Sequence, residues 1–329
     1  MIRNRIIILL GLASILSGCS YQTYISIETL EPPMSYYLNP TNPITVNYNY
    51  SPSNRLPKIL GNRNDIDSLA SDFAASAITS SIKQNSLYPQ TNVVITQLQV
   101  DDSRADKNFV LSESELFKVV QKTKGEVILS LDYFSLSPEI TAFPSSAGGY
   151  ASILEVDAVG AWRAYSTESK QVVGEYFFKQ VYNWDGSGGS KQLAINSLPN
   201  LNEVASWVGS ECGTTSAKAF APFWNTVYRS IFVGVDAKWV QAKNYAKIGD
   251  WENAVKIWSW QVGGSKTPKL KWQAAYNLAV ASEVQNDLML AISWLDVADS
   301  LIPSTSEVSK YREIIQLRLK SQKLLESFK

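Results

Sequence analysis

The 329-residue chain carries 30 basic and 30 acidic residues, two cysteines and no histidine, with 45% hydrophobic and 18% charged side chains. This is a globular composition with room for two domains of roughly 100–200 residues, and the balanced charge offers no field for nucleic acid. Without imidazole, Ser-His-Asp and Cys-His nucleophile systems and histidine-ligated zinc are excluded, and Cys19 and Cys212 alone cannot build a cysteine metal cluster or a disulfide framework.

The first element is a leader. Arg3 and Arg5 precede the apolar run Ile6 to Leu16, which is shorter than the ~20 residues a spanning helix needs and fits a secretory signal. The run ends in Leu16-Ser17-Gly18-Cys19. That ending resembles the lipobox of bacterial lipoproteins, which implies cleavage after residue 18, diacylation of Cys19 and stable anchoring by several acyl chains. Ser20, rather than an aspartate, implies the outer membrane by the enterobacterial sorting pattern. The following YQTYISIETL lacks the acidic cluster of surface-exported lipoproteins, which implies a periplasm-facing protein.

Residues 19–200 read as an α+β domain. ITVNYNY alternates, with Ile44, Val46, Tyr48 and Tyr50 on one side and Thr45, Asn47 and Asn49 on the other, the pattern of a half-buried strand. PSNRLPKILGNRN is a turn-rich connection. Ile66, Leu69, Phe73, Ile78 and Ile82 predict a helix over 65–84, and NVVITQLQV a strand. Ser112 and Glu115 make a capping box for a second helix, with Gly125 as its left-handed stop. EVILSLDYFSLS, SILEVDAVGAWRAYS and QVVGEYFFKQVYNW follow as strands, the last two a hairpin across TESK. FPSSAGGY and DGSGGS read as loops, and DGSGGS lacks the Gly-Lys-Ser/Thr end of a phosphate loop. The expected architecture is a mixed sheet with two helices on one face, an arrangement that distantly resembles small periplasmic lipoprotein domains that activate cell-wall synthases.

Residues 201–329 read as helical. The stretch from Asn202 to Phe232 is expected to be helix broken near Gly213 and Pro222. Beyond it, NYAKIGDWENAVKIW and YNLAVASEVQNDLMLAISWLDVADSLIP align with Ala254 and Ala291 equivalent, 37 residues apart. Leu278, Ala279, Ala291, Ala298 and Pro303 in the second unit, and Tyr245, Gly249-Asp250-Trp251, Ala254 and Trp258 in the first, resemble the tetratricopeptide repeat, whose period is about 34 residues. Gln261, Ser282 and Asn286 depart from its pattern at an alanine, an aromatic and the turn glycine. Val308, Tyr311, Ile315, Leu319 and Leu325 predict a closing amphipathic helix. The resemblance implies a concave partner groove lined by Trp239, Lys243, Lys247, Gln273 and Asn277.

With SIETLEPPMSYYLNP as the opening, the arrangement resembles a family of Bacteroidota lipoproteins that carry an α+β domain and a tetratricopeptide segment and have no assigned activity. The expectation is a lipid-anchored scaffold or adaptor of the cell envelope with a protein or peptide partner, and no catalytic, cofactor-binding or metal-ligating residue. The alternative is a glycan-binding lipoprotein similar to starch-utilisation lipoproteins, since eight of the ten tryptophans fall between Trp207 and Trp294. Core packing is the ordinary fate of tryptophans in helical patterns, so this alternative predicts coplanar exposed rings outside the helix interfaces. A carboxylate-only enzyme would draw on Asp132, Glu155, Asp157 and Glu175. Cys212 reads as a small buried hydrophobe rather than a reactive thiol.

Overall fold

A computed structural model describes residues 21–50, 66–85, 87–88, 93–99, 108–122 and 125–327. The leader, Cys19 and the 52–64 connection lie outside the described residues. The fold is α+β, with a mixed sheet and a C-terminal run of helices. Contacts divide the described chain into two compact units, residues 32–223 and residues 21–31 with 224–327. The first strand, β1 (Tyr21–Glu31), belongs to the second unit.

The sheet of the first unit has the order β3-β2-β4-β5-β6. β2 (Ile44–Tyr50) lies parallel to β3 (Val93–Gln99) and to β4 (Val127–Pro144), and β4, β5 (Tyr150–Ser166) and β6 (Val172–Gly188) form an antiparallel meander. Both expected loops shrink. FPSSAGGY supplies the ends of β4 and β5 around a short turn, and Asp185 to Gly188 continue β6 against Tyr150 to Ile153.

Alternation sorts the helices onto faces. α1 (Ile66–Gln84) and α4 (Leu201–Ala217) share a core with Val46, Leu129, Leu136, Val156 and Trp162. The face thus carries two helices, but not the two expected there: the capping-box helix lies on the opposite face, and α4 takes its place beside α1. α2 (Glu113–Lys122) packs with Leu98, Ile128 and Tyr165 on the other. Its capping box forms, with the Ser112 amide donating to Glu115 Oε2 at 2.8 Å. Gly125 is not a left-handed stop. A Cβ there would meet Thr45 Oγ1 at 2.6 Å, so close backbone approach is what it permits.

The sequence placed residues 201–217 with the C-terminal helices, and the structure places α4 with the sheet. Nor does Gly213 break that helix. A Cβ at Gly209 or Gly213 would collide with the carbonyl oxygen of Ala70 or Ala74, so the paired small residues let two helix backbones touch. α3 (Lys191–Asn196) is a short helix before α4. Cys212 is buried between α4 and β6, 3.6 Å from the Tyr182 hydroxyl, and burial pushes its thiol up to about 11.

In the second unit β1 pairs with β7 (Phe223–Val233) in a two-stranded ribbon. Residues 223–233 were expected as helix. The strand wins because Ile231 and Val233 can join Ile25 and Ile27 in burying one side of a ribbon against the helices. α5 (Ala237–Lys247) pairs with α6 (Trp251–Gly264), and α7 (Pro268–Val284) with α8 (Leu288–Leu301), before α9 (Ser306–Ser327). The two pairs repeat each other at 37 residues. Gly249 (φ 80°) and Asn286 (φ 60°) take the left-handed turn position. Asp250 and Asp287 cap the following helices and donate their amides to Tyr245 and Ser282, both at 2.9 Å. Ala254 and Ala291 are fully buried. Asparagine tolerates the left-handed region better than most residues, which is why Asn286 replaces glycine there. No helix among the described residues is long and apolar enough to cross a membrane.

Candidate functional site

The five positions expected to line a repeat groove do not form one. Trp239, Gln273 and Asn277 are buried. The Trp239 ring lies against Gly234, where a Cβ would come within 2.7 Å of it. Asn277 holds β7: its amide donates to the Phe232 carbonyl and its oxygen accepts from the Phe232 amide, both at 2.8 Å. Phe232 in turn packs on Trp272 and Tyr276. The helix surface that carries Gln273 and Asn277 is therefore occupied by the chain's own ribbon. Lys243 is half-buried, and Lys247 is exposed. Below them Glu283, with no exposed side-chain surface, takes a bidentate Arg229 at 2.8 Å, Arg318 at 3.1 Å and the Tyr311 hydroxyl at 2.5 Å. Burial opposes its ionisation, and these donors outweigh burial and hold its pKa below the usual value. The cluster ties β7, α7 and α9 together.

The four strand acids divide. Glu155 is exposed and Asp157 sits 3.8 Å from exposed Lys179. Asp132 and Glu175 do converge, but on Arg163, at 3.2 and 2.7 Å. Asp132 points to the α2 face of the sheet, as Ser130 does two residues before it, and it is the extra residue of a bulge between Leu131 and Tyr133. There Tyr165 donates to it, and Asn49 reaches it at 3.4 Å. The row continues through Asn47, which donates to Ser130 at 2.9 Å and accepts from Thr96 at 3.1 Å. β2 was expected to be half-buried. As a central strand it is buried on both sides, and the asparagine side is a hydrogen-bonded polar layer. Desolvation pushes the Asp132 carboxyl up to about 6 against the pull of Ser130, Tyr165 and Arg163. The two acids grip a guanidinium, which is a strut between strands rather than a pair spaced around a substrate.

An open site lies instead on the outer side of α1 and α4. Phe73, Asn202, Glu203, Ser206, Trp207 and Ser210 line a cleft of about 520 Å³. Trp207 is 51% exposed. Tyr182 and Trp184 brace its ring from β6 with centroids 5.2 and 5.7 Å away, both nearly perpendicular. Helical periodicity brings Glu203, Trp207 and Glu211 to successive turns of one exposed stripe. Ser206 and Ser210 donate their hydroxyl protons to the carbonyls of Asn202 and Ser206, at 2.8 and 2.9 Å, and so present lone pairs to the cleft. Glu203 supplies the one charge among the lining residues. A second depression of about 490 Å³ adjoins at Asn202, with Ile140, Leu154, Ile195, Leu198 and Leu201 along it. The arrangement offers a shallow, mainly apolar surface around the Trp207 ring with one negative charge and serine acceptors at its edge, followed by a depression that mixes these apolar side chains with Asn196 and Asn200. The sequence signal is the i, i+4, i+8 row of Glu203, Trp207 and Glu211, which lies in the helical flank expected before the repeats.

Trp260, which the repeat pattern does not require, is covered by Lys238, whose ammonium stands 4.1 Å from the ring centroid. Exposed tryptophans among the described residues are Trp207, Trp224 and Trp260, each on a different element.

Among solved structures the chain is similar to the PelC dodecamer from Paraburkholderia phytofirmans, with 12% identity over 60% of this chain and 99% of that one and a TM-score of 0.26. It is also similar to a homologue of a neuraminyllactose-binding hemagglutinin from Helicobacter pylori, with 7% identity over 65% and 93% and a TM-score of 0.27. TM-scores this low do not establish a common fold. A comparison with curated proteins finds no match. Residues 240–319 match a second family model, described as domain of unknown function DUF6340. Residues 41–232, more than half of the chain, match the model described as domain of unknown function DUF8603, and the chain belongs to that family.

Proposed function

We propose that this is a lipid-anchored, periplasm-facing envelope protein of the outer membrane that binds a protein partner through the α1/α4 cleft, as a scaffold or adaptor. The observation that carries the reading is the braced, half-exposed Trp207 beside Glu203 in an extended cleft, while the repeat surface is filled by β7. A tryptophan face beside a carboxylate favours a cation, by ring quadrupole and ion pairing together. The serine lone pairs favour a donor. A lysine or arginine side chain of an extended peptide meets both, and the depression beyond Asn202, with its leucines and asparagines, takes its neighbours. The lipobox ending in Cys19 supports the anchor.

A glycan site calls for rings that a pyranose can lie across together. Trp184 and Trp207 cross at 84°, which favours a peptide over a sugar platform. Titration of tryptophan fluorescence tests this with three probes: a peptide rich in lysine and arginine, an acidic peptide of equal length and a soluble glucan. The basic peptide is expected to give a saturable change that Trp207→Ala abolishes and Lys247→Ala leaves intact. A response to glucan alone, or a basic-peptide response that survives Trp207→Ala, would overturn the proposal.

A further inference from the structure

The ribbon of the second unit has two unlike sides. On β1, Ile25, Ile27 and Thr29 point inward and are buried, while Gln22, Tyr24, Ser26 and Glu28 point outward. On β7, Trp224, Thr226 and Tyr228 are exposed, while Ile231, Phe232 and Val233 at its end are all core, so the outward row of β7 ends at Tyr228. Thr226 Oγ1 donates to Glu28 Oε1 at 2.6 Å, which fixes the two outward rows on the same side. That side therefore carries Tyr24 at 66%, Trp224 at 60% and Tyr228 at 69% exposure. The nearby cation is turned away, since Arg229 is committed to Glu283 at 2.8 Å. Three aromatics set among serine, threonine, glutamine and one glutamate, whose carboxylate accepts from Thr226, have an apolar body and a polar rim. That composition gains most at a membrane–water interface, where rings sit at the level of the headgroups.

The chain also says where the start of this side is held. β1 begins two residues after Cys19. Two extended residues span roughly 7 Å, and the headgroup layer on each side of a bilayer is about 5–8 Å thick. A lipid on Cys19 therefore leaves the start of β1 no reach beyond the headgroups. We infer that the outward face of the β1/β7 ribbon is a membrane-contact surface: Tyr24, Trp224 and Tyr228 rest in the headgroup layer of the bilayer that holds the Cys19 lipid. The inference rests on the lipid-anchor reading. With no basic residue in these outward rows, contact depends on the aromatic rings and not on anionic lipid, so it persists in zwitterionic bilayers and at high salt.

The test uses the full lipoprotein reconstituted in phosphatidylcholine vesicles whose acyl chains carry bromine close to the headgroup. Intact mass reports acylation of Cys19 in the same sample. The expected result is tryptophan quenching in the acylated protein that is mostly lost in Trp224→Phe and unchanged in Trp258→Phe, because Trp258 is fully buried. Quenching should not change at raised salt. Absence of quenching in protein whose Cys19 is acylated, or quenching unaltered by Trp224→Phe, would overturn the membrane contact while leaving the anchor standing. An unacylated Cys19 would remove the anchor reading and this inference with it, and the mass distinguishes that failure from the other two.

Discussion

Asp132 shows how one buried acid sets the chemistry of a sheet face. It lies beside Arg163 and Tyr165 with no exposed side-chain surface. Its carboxyl is pushed up to about 6 by desolvation, from 3.8 when free. The folded state therefore takes up this proton before the unfolded state does. The stability Asp132 contributes is fully present below about pH 3.8 and is lost as pH rises through about 6. A shift of this size corresponds to about 3 kcal/mol. In urea unfolding, the advantage of the wild type over Asp132→Asn should thus be larger by about that amount near pH 4 than near pH 7. An equal difference at both pH values would show that the carboxyl keeps its ordinary affinity. The acids Asp132 and Glu175 were visible in the sequence as strand residues. Their convergence was not, because it depends on the register that sets Arg163 between them, and two-residue periodicity within a strand does not report register. Trp239, Gln273 and Asn277 fell at repeat positions that face a partner only when the groove is empty. Nothing in their spacing announced that β7 would fill it.

At the scale of elements, the helix pairs were legible because their cues are local. The left-handed turn at Gly249 and Asn286, the capping aspartates and the small alanines lie within one repeat. The ribbon was not legible, because its partners stand about 200 residues apart and neither strand has a sheet neighbour close to it in sequence. Gly213 misled for a related reason. Glycine is a weak helix former, but here it buys the close approach of α1 and α4. Gly213→Ala should cost about 1–3 kcal/mol, since a methyl group would meet the Ala74 backbone, which cannot swing aside. Gly263→Ala in α6 is the matched control, because nothing lies within 4 Å of the added carbon. It should be neutral or stabilising by up to ~1 kcal/mol, as helix propensity dictates. The two unfolding midpoints compared side by side check the pair. Equal effects would mean that the α1/α4 contact does not hold this unit together.

For the molecule as a whole, composition and periodicity reached the α+β class and the helical C-terminal segment, and the structure shows both. The sequence boundary at residue 200 differs from the structural one, which follows burial: α4 completes the sheet's core, and the chain leaves this unit only at Phe223. That difference moves Trp207 and Glu203 from the helical segment to the α+β unit, where they line an open cleft. The account stands on that cleft, and not the repeat surface, being where a partner binds. In-cell crosslinking from a photoreactive residue placed at Ser206, compared with one at Lys247, tests it most directly. The account predicts a discrete adduct from position 206 that disappears when Trp207→Ala is added, and no Trp207-dependent adduct from position 247. An adduct from position 247 alone, or one from position 206 indifferent to Trp207→Ala, would contradict it.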